Sequence, residues 1–297
     1  MLIKHVAILG VGLIGGSLAR ALKRDRFCGT VSGYGRNRAT LQKAVDLGVI
    51  DSYSTDPAKA VAGAGLVVLA TPLSTTEVLC RGISPVLGDD TIITDVGSAK
   101  AGVVEAARSG LRASHFANFV PGHPIAGTEK SGVEHSFPQL FDDRLVILTP
   151  LPETSIRALE LVQAMWDACR ARVVKLSVER HDKVLAATSH LPHLLAYALV
   201  DCLARMQERE EIFEFAAGGF ADFTRIASSS PEMWHDICMA NRDDLLRALD
   251  RFGEHLSGIR QSIEKGDSRR LLDIFTRAKK ARDEFGRNRR APSGAAE

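Results

Sequence analysis

No uncharged apolar run in the 297 residues approaches the ~20 that a membrane-spanning helix needs, which excludes a helical membrane protein. Cysteine is scarce and scattered. Cys28, Cys80, Cys169, Cys202 and Cys238 are odd in number and form no C-x-x-C pair, against both a disulfide framework and a zinc site, so a reducing cytoplasm is the expected setting. A dominant charge is missing too: the net +2 gives no ground for expecting nucleic acid or an anionic membrane as a partner. Lys4 and the apolar run Val6 to Ala19 imitate a secretory leader. No small-residue cleavage pattern follows, however, and the run passes through glycines into an amphipathic segment with Arg20, Lys23 and Arg24. What is present, 45% hydrophobic residues over this length, suffices for about two domains with real cores.

The chain is organised around its opening stretch. His5 to Gly10 reads as a short buried strand, and from Leu13 the residues Ile14, Leu18, Ala21 and Leu22 recur at helical spacing. Between them lies Gly10-Val-Gly12-Leu-Ile-Gly15, the dinucleotide-binding fingerprint in its required context of strand, turn and helix. The first glycine permits the turn, the second lets backbone approach a pyrophosphate, and the third lets helix pack on strand. Unpaired N–H groups at the helix start favour phosphate. Gly10, Gly12, Leu13, Ile14 and Gly15 are therefore the candidate phosphate contacts.

Thr30 to Tyr34 reads as a second strand and Arg38 to Leu47 as its helix. An acid at the end of that strand would bind a ribose 2′-hydroxyl; here Gly35 stands there, followed by Arg36 and Arg38. A missing acid beside arginine accommodates a 2′-phosphate, so the cofactor expected is NADP or NAD, with a lean to NADP; solvated loop charges are the alternative. Gly65 to Pro72 and Thr91 to Asp95 read as further strands. Strands alternating with helices imply a mostly parallel, doubly wound α/β sheet of Rossmann type. Ligands bind beyond the carboxyl ends of such strands, which places Thr71, Pro72 and Ser98 on the cofactor side.

Asn118 to Gly132 reads as a loop just past a strand, with His123 held rigidly between Gly122 and Pro124. Imidazole suits proton transfer near neutral pH, so His123 is the candidate base, against the commoner case of a structural loop histidine. Arg144 to Thr149 and Arg172 to Lys175 read as late strands of the same sheet, separated by a helix from Glu153 to Cys169. Beyond Ser177 everything reads as helix. The expected domains are thus 1–175, dinucleotide-binding, and 176–286, all-α, with 287–297 as a frayed tail. Leu245, Leu249, Phe252, Leu256, Ile259 and Ile263 alternate by four and three, a coiled-coil-like seam suited to a homodimer interface.

Glu179-Arg-His181-Asp182 opens a helix that Pro192 should kink or break, since proline has no N–H for the Thr188 carbonyl. Ser189, His193 and Tyr197 share a face there, with His190 beside it. His181, His190 and His193 lack carboxylate or cysteine partners at ligand spacing, so no metal is expected and hydrogen-bonding or core roles are preferred. Arg225 sits among Phe223, Ile226 and Trp234 and needs an anionic partner, either an internal acid or a substrate carboxylate. Ser230-Pro231 marks a helix start.

Five motifs taken in order, Gly10-Val-Gly-Leu-Ile-Gly-Gly-Ser17, Asp95-Val-Gly-Ser-Ala-Lys100, Gly122-His-Pro-Ile-Ala-Gly-Thr-Glu-Lys-Ser-Gly132, Ser189-His-Leu-Pro-His193 and Asp222-Phe-Thr-Arg225, resemble the prephenate and arogenate (cyclohexadienyl) dehydrogenase family. The resemblance implies a Rossmann domain followed by a helical dimerisation domain. It implies hydride transfer from C4 of a cyclohexadienol ring to NAD(P), with loss of the ring carboxylate, in tyrosine biosynthesis. His123 would accept the C4 hydroxyl proton and Ser98 would hydrogen-bond both His123 and that hydroxyl. Arg225 would hold the ring carboxylate, His193 would line the pocket with Thr128 and Glu129 nearby, and His181, Asp182 and His190 would support. Activity should then fall at acid pH near the ordinary histidine pKa. No fused mutase or amino-acid-binding domain is expected, so any inhibition by tyrosine would act at the active site.

Two other readings compete. A β-hydroxyacid dehydrogenase-like enzyme would want a catalytic lysine, for which Lys183 is the candidate, but leaves the histidine-rich 189–193 stretch unexplained. A dinucleotide-sensing dimer would leave His123, Ser98 and Arg225 without a task. Prephenate against arogenate, and NAD against NADP, are not resolved by sequence.

Overall fold

The computed structural model describes residues 2–128 and 130–290. Six parallel strands, β1 (Ile3–Leu9), β2 (Cys28–Tyr34), β3 (Ser52–Ser54), β4 (Leu66–Leu69), β5 (Ile92–Asp95) and β6 (Phe119–Val120), form a sheet in the order β3-β2-β1-β4-β5-β6. Helices α1 (Leu13–Arg24), α2 (Arg38–Asp46), α3 (Pro57–Val61), α4 (Thr76–Ile83), α5 (Ala101–Gly110) and α6 (Ile156–Ala168) accompany it. In β1 the residues Val6, Ala7, Ile8 and Leu9 are all fully buried, as befits a central parallel strand. Successive side chains point to opposite faces. Val6 and Ile8 accordingly join one core with Leu18 and Leu22 of α1 and Trp166 of α6, whereas Ala7 and Leu9 join a second with Val61, Ile83 and Val103 from α3, α4 and α5.

A separate three-stranded sheet follows, made of β7 (Gly122–Pro124), β8 (Leu145–Leu148) and β9 (Arg172–Lys175), with β7 antiparallel and β9 parallel to β8. This corrects two expectations: the late strands leave the main sheet, and His123 lies in a strand opposite Ile147 rather than on a loop. The cause is local. Pro121 has no N–H to continue the β6 ladder. Its carbonyl instead accepts from Thr149 N at 2.9 Å, and Gly122 N donates to Asp95 Oδ1 at 3.1 Å, so the chain changes partner after two residues of β6.

Helices α7 (Val178–Leu185), α8 (Leu191–Ala204), α9 (Arg209–Glu214), α10 (Gly218–Thr224), α11 (Pro231–Ala240), α12 (Arg242–Glu264) and α13 (Ser268–Arg290) complete the chain. The interruption at Pro192 takes the form of a π-helical turn, Ala186–His190, that widens the helix just before the proline in the first turn of α8. Ser230 caps α11, its hydroxyl accepting from Met233 N at 3.3 Å, with Pro231 as the first helical residue. By its internal contacts the chain divides into two compact units, Met1–Leu245 and Leu246–Glu297. Helices α7 to α11 stay with the first unit because Asp182 and Asp236 hydrogen-bond into its sheet loops. Along α12, Leu245 is buried, but Phe252, Leu256 and Ile263 are 37%, 54% and 64% exposed. Residues 287–290 of the expected tail are helical, α13 containing no proline to end it earlier; residues 291–297 lie outside the described ones. Among the described residues no helix is long and apolar enough to cross a membrane.

Candidate active site

Strand order reverses between β1 and β4, so a crevice opens beyond their carboxyl ends. Gly10 has φ +108°, and a Cβ there would lie 2.4 Å from the Ala70 carbonyl oxygen. Only glycine lets the turn approach the β4 loop so closely. A Cβ on Gly15 would lie 2.1 Å from the Gly10 oxygen and 2.9 Å from Ile8, so its absence seats α1 on β1. A Cβ on Gly12 would meet nothing within 4 Å, and no side chain caps α1, which leaves the turn and the helix start at Leu13 and Ile14 open to a phosphate. These residues fit a dinucleotide diphosphate. At the other end, Arg36 and Arg38 are exposed past Gly35, and Asn37 caps α2 by accepting from Thr40 N at 3.1 Å. Beside β4, Thr75 Oγ1 lies 2.9 Å from Thr71 Oγ1 and donates to the Pro72 carbonyl at 2.7 Å, closing that loop on itself.

His123 projects from β7 and is 8% exposed. Its Nδ1 lies 2.8 Å from His181 Nε2, and His181 Nδ1 lies 2.7 Å from Asp182 Oδ1. Both oxygens of Asp182 also accept backbone N–H groups at the start of α5, Lys100 N on Oδ1 and Ala101 N on Oδ2, each at 2.8 Å. Burial alone would raise the Asp182 pKa, but these bonds from His181, Ala101 and Lys100 hold it below the usual value, so the group is ionised at neutral pH. An ionised carboxylate only accepts. His181 must therefore donate from Nδ1 and accept at Nε2, which makes His123 donate from Nδ1 and leaves a lone pair on His123 Nε2. Burial, followed by the neighbouring His181, Lys100 and His190, pushes the His123 pKa well below the ordinary histidine range. The expectation of an acid limit at the ordinary value is corrected accordingly: a dry, cation-flanked imidazole stays neutral to lower pH.

Around this chain lies a second buried pair. Lys100 is fully buried and ion-pairs with Asp95, while its Nζ donates to the Gly122 carbonyl at 2.7 Å, fixing the residue before His123. Asp95 Oδ2 also accepts from Gly97 N at 2.7 Å. The expected Ser98–His123 hydrogen bond does not form; Ser98 is half-buried in the loop after β5, and the polar partner of His123 is His181.

On the helical side Asn241 Nδ2 donates to the Asp182 carbonyl at 2.9 Å and lies 3.1 Å from His190 Nδ1. The carbonyl fixes the amide orientation, so His190 accepts at Nδ1 and carries its proton on Nε2, which is buried beside the Ser98 backbone. Burial pushes its pKa down to about 4, with Asp182 and the Ser98 backbone opposing and His181 assisting. His193 Nδ1 donates to the Ser189 carbonyl at 2.8 Å, and its ring stacks on Trp234 at 3.7 Å between centroids. Tyr197 donates to the Ser229 carbonyl at 2.6 Å instead of joining them. Arg225 lies exposed in a 3₁₀ turn, Arg225–Ser228, and is not enclosed by its apolar neighbours. Thr128 is exposed and accepts from Lys130 N at 3.3 Å; Glu129 lies outside the described residues. Lys183, the lysine wanted by the rival dehydrogenase reading, is exposed on α7. Among the described residues no group of three or more His, Cys, Asp or Glu side chains is placed to hold a metal ion.

Sequence reasoning gave no role to Asp95, Lys100, Trp234, Asp236 or Asn241. A charged pair inside the Asp95–Lys100 motif was the one available signal. Asn241 lies four residues before the apolar seam and caps the C-terminus of α11.

Comparison with known proteins gives the same picture at the level of family. A model described as prephenate dehydrogenase, nucleotide-binding domain, matches residues 18–175, and one described as prephenate dehydrogenase, dimerization domain, matches residues 177–277. The chain is 39% identical over 281 residues to a cyclohexadienyl dehydrogenase of Zymomonas mobilis, covering 94% of this chain and 95% of that protein. It is 37% identical over 280 residues to a prephenate dehydrogenase of Bacillus subtilis, covering 94% of this chain and 75% of that protein. The crystal structure of prephenate dehydrogenase from A. aeolicus in complex with hydroxyphenyl propionate and NAD+ is similar with a TM-score of 0.89 and 38% identity, covering 96% of this chain and 99% of that one. With its sheet order, its glycine cradle and these matches over both halves, the chain belongs to the prephenate dehydrogenase family.

Proposed function

We propose that the chain oxidises and decarboxylates prephenate, or its amino-acid counterpart arogenate, with NAD or NADP, giving 4-hydroxyphenylpyruvate or tyrosine. The observation that carries this reading is the chain Asp182–His181–His123, which leaves a neutral lone pair on His123 Nε2. That nitrogen takes the C4 hydroxyl proton while the C4 hydride departs and the ring carboxylate leaves as carbon dioxide, restoring aromaticity. Gly10, Gly12, Leu13, Ile14 and Gly15 would hold the diphosphate of the dinucleotide, with Thr71 and Pro72 beside it, and the cofactor when bound would supply the hydride acceptor. Arg225 orients the ring carboxylate without clamping it, since only interactions stronger in the transition state accelerate the step. His193 offers Nε2 as an acceptor on the substrate side, Ser98, Thr128 and, on its motif alone, Glu129 are assigned to the same substrate wall, and the buried His190 supports it.

Gly35 with the exposed Arg36 and Arg38 supports NADP as the preferred cofactor; NAD+ in the A. aeolicus relative is the counterweight. The exposed apolar residues of α12 and the dimerization-domain match support a homodimer. Five cysteines without a disulfide accord with a cytoplasmic enzyme. Incubating the purified protein with prephenate or arogenate and either cofactor, while following nicotinamide absorbance and product, tests all of this at once. Turnover in one combination or more is expected; none in all four would overturn the reading.

A further inference from the structure

Helix α11 reaches the cofactor side through a residue that no motif contains. Asp236 Oδ2 accepts both the Ser74 N–H at 3.2 Å and the Ser74 hydroxyl at 2.5 Å, from a position 162 residues away in sequence. The Asp236 side chain is only 14% exposed, and its other oxygen faces the exposed His235 at 3.3 Å. Ser74 belongs to the turn Leu73–Thr75, which continues the loop that meets Gly10 at Ala70 and is closed by Thr75 on Thr71 and Pro72. Two residues before Asp236 on the same helix, Trp234 stacks on His193. One rigid helix therefore holds the loop beside the dinucleotide crevice at one point and the proposed substrate wall at another.

We propose that Asp236 is a positioning residue that fixes the Ala70–Thr75 loop for the cofactor and, through Trp234 on α11, makes cofactor and substrate-side ligand tighten each other. The inference rests on the proposed function for the identity of the two ligands. A carboxylate serves here because one oxygen must accept from two donors at once, and charge-assisted bonds hold geometry more firmly than neutral ones. If α11 is held by the loop, a ligand that orders one contact orders the other, and the coupling must be reciprocal.

The test measures NADH affinity by fluorescence for the full chain, with and without hydroxyphenyl propionate, in the native protein, Ser74→Ala, Asp236→Ala, Asp236→Asn and the double variant Ser74→Ala/Asp236→Ala. Ser74→Ala is the mild change and keeps the experiment open if Asp236→Ala folds poorly. Asp236→Ala should weaken NADH about 5–20-fold and Ser74→Ala less, with the double variant no worse than Asp236→Ala because both act through one contact. The tightening of NADH by hydroxyphenyl propionate should shrink toward none, and Asp236→Asn, which keeps an acceptor oxygen, should recover part of it. Affinities within about two-fold of native in both single variants, or losses that add in the double variant, would overturn the proposal. So would a native protein in which the two ligands bind independently. Failure of prephenate and arogenate turnover in the native protein would instead overturn the functional reading, whatever NADH does.

Discussion

Replacing Asp182 with asparagine takes one acceptor from a carboxylate on which three donors converge: His181 Nδ1 at 2.7 Å, and Lys100 N and Ala101 N at 2.8 Å. The amide can sit two ways. With its oxygen in place of Oδ1 it still accepts from His181 and Lys100, but orphans Ala101 N–H and both of its own N–H groups. With its nitrogen there it accepts from Ala101, orphans Lys100 N–H, and donates to His181 Nδ1. Each arrangement keeps two of these bonds, but the second leaves two buried donors unpaired rather than three, a difference of about 1–3 kcal/mol, and should dominate. His181 must then carry its proton on Nε2 and donate to His123 Nδ1, which moves the His123 proton to Nε2, the atom that should be the base. A misplaced proton on a general base costs roughly 10²–10⁴ in kcat. The orphaned backbone N–H and the lost charge at the start of α5 together cost about 1.5–4 kcal/mol, a fall in Tm of about 3–15 °C. Steady-state kinetics and scanning calorimetry on Asp182→Asn read both, with NADH affinity as the control. A variant that melts lower but keeps kcat within about three-fold of native would refute the tautomer chain.

Three further outcomes follow from the same geometry. Burial lowers the pKa of His115, His123 and His190 in the folded protein, His190 to about 4, whereas unfolded histidines bind protons from about pH 6.5. The unfolded state thus gains protons first as pH falls. Stability is full above about pH 6.5 and is lost toward the folded values, with His190 alone worth about 3 kcal/mol at the bottom of its window, so a Tm as high at pH 5 as at pH 7.5 would contradict this. Gly10→Ala puts a Cβ 2.4 Å from the Ala70 carbonyl at φ +108° and should abolish measurable NADH binding and cost at least about 1–3 kcal/mol; native NADH affinity would show that the cradle is elsewhere. Arg225→Ala should raise the KM for prephenate about ten-fold or more, and an unchanged KM would remove Arg225 from substrate binding.

Local signals carried most of the fold. Gly10, Gly12 and Gly15 mark a strand–turn–helix without help from the rest of the chain, and the break near Pro192 follows from one missing N–H. Partner choice is not local. Leu145–Leu148 looks the same whether it extends the main sheet or pairs with β7, and the outcome turned on Pro121 ending the β6 ladder. The site shows the same limit. His123 is picked out as a candidate base by its flanking residues, but its hydrogen-bond partner His181 lies 58 residues on, and Asp182 caps a helix that starts 81 residues before it. Ser98 was the nearer guess in sequence and the wrong partner in space. Charge logic could name Asp182 as an anion in need of donors, but only tertiary packing shows which donors it has.

His123→Asn examines the central claim without intermediaries, because it removes the lone pair on Nε2 while keeping a polar side chain on β7. With prephenate and the preferred cofactor, kcat should fall roughly 10²–10⁴-fold while the affinity for NADH stays near native. Turnover close to native in that variant would contradict the assignment of His123 as the proton acceptor.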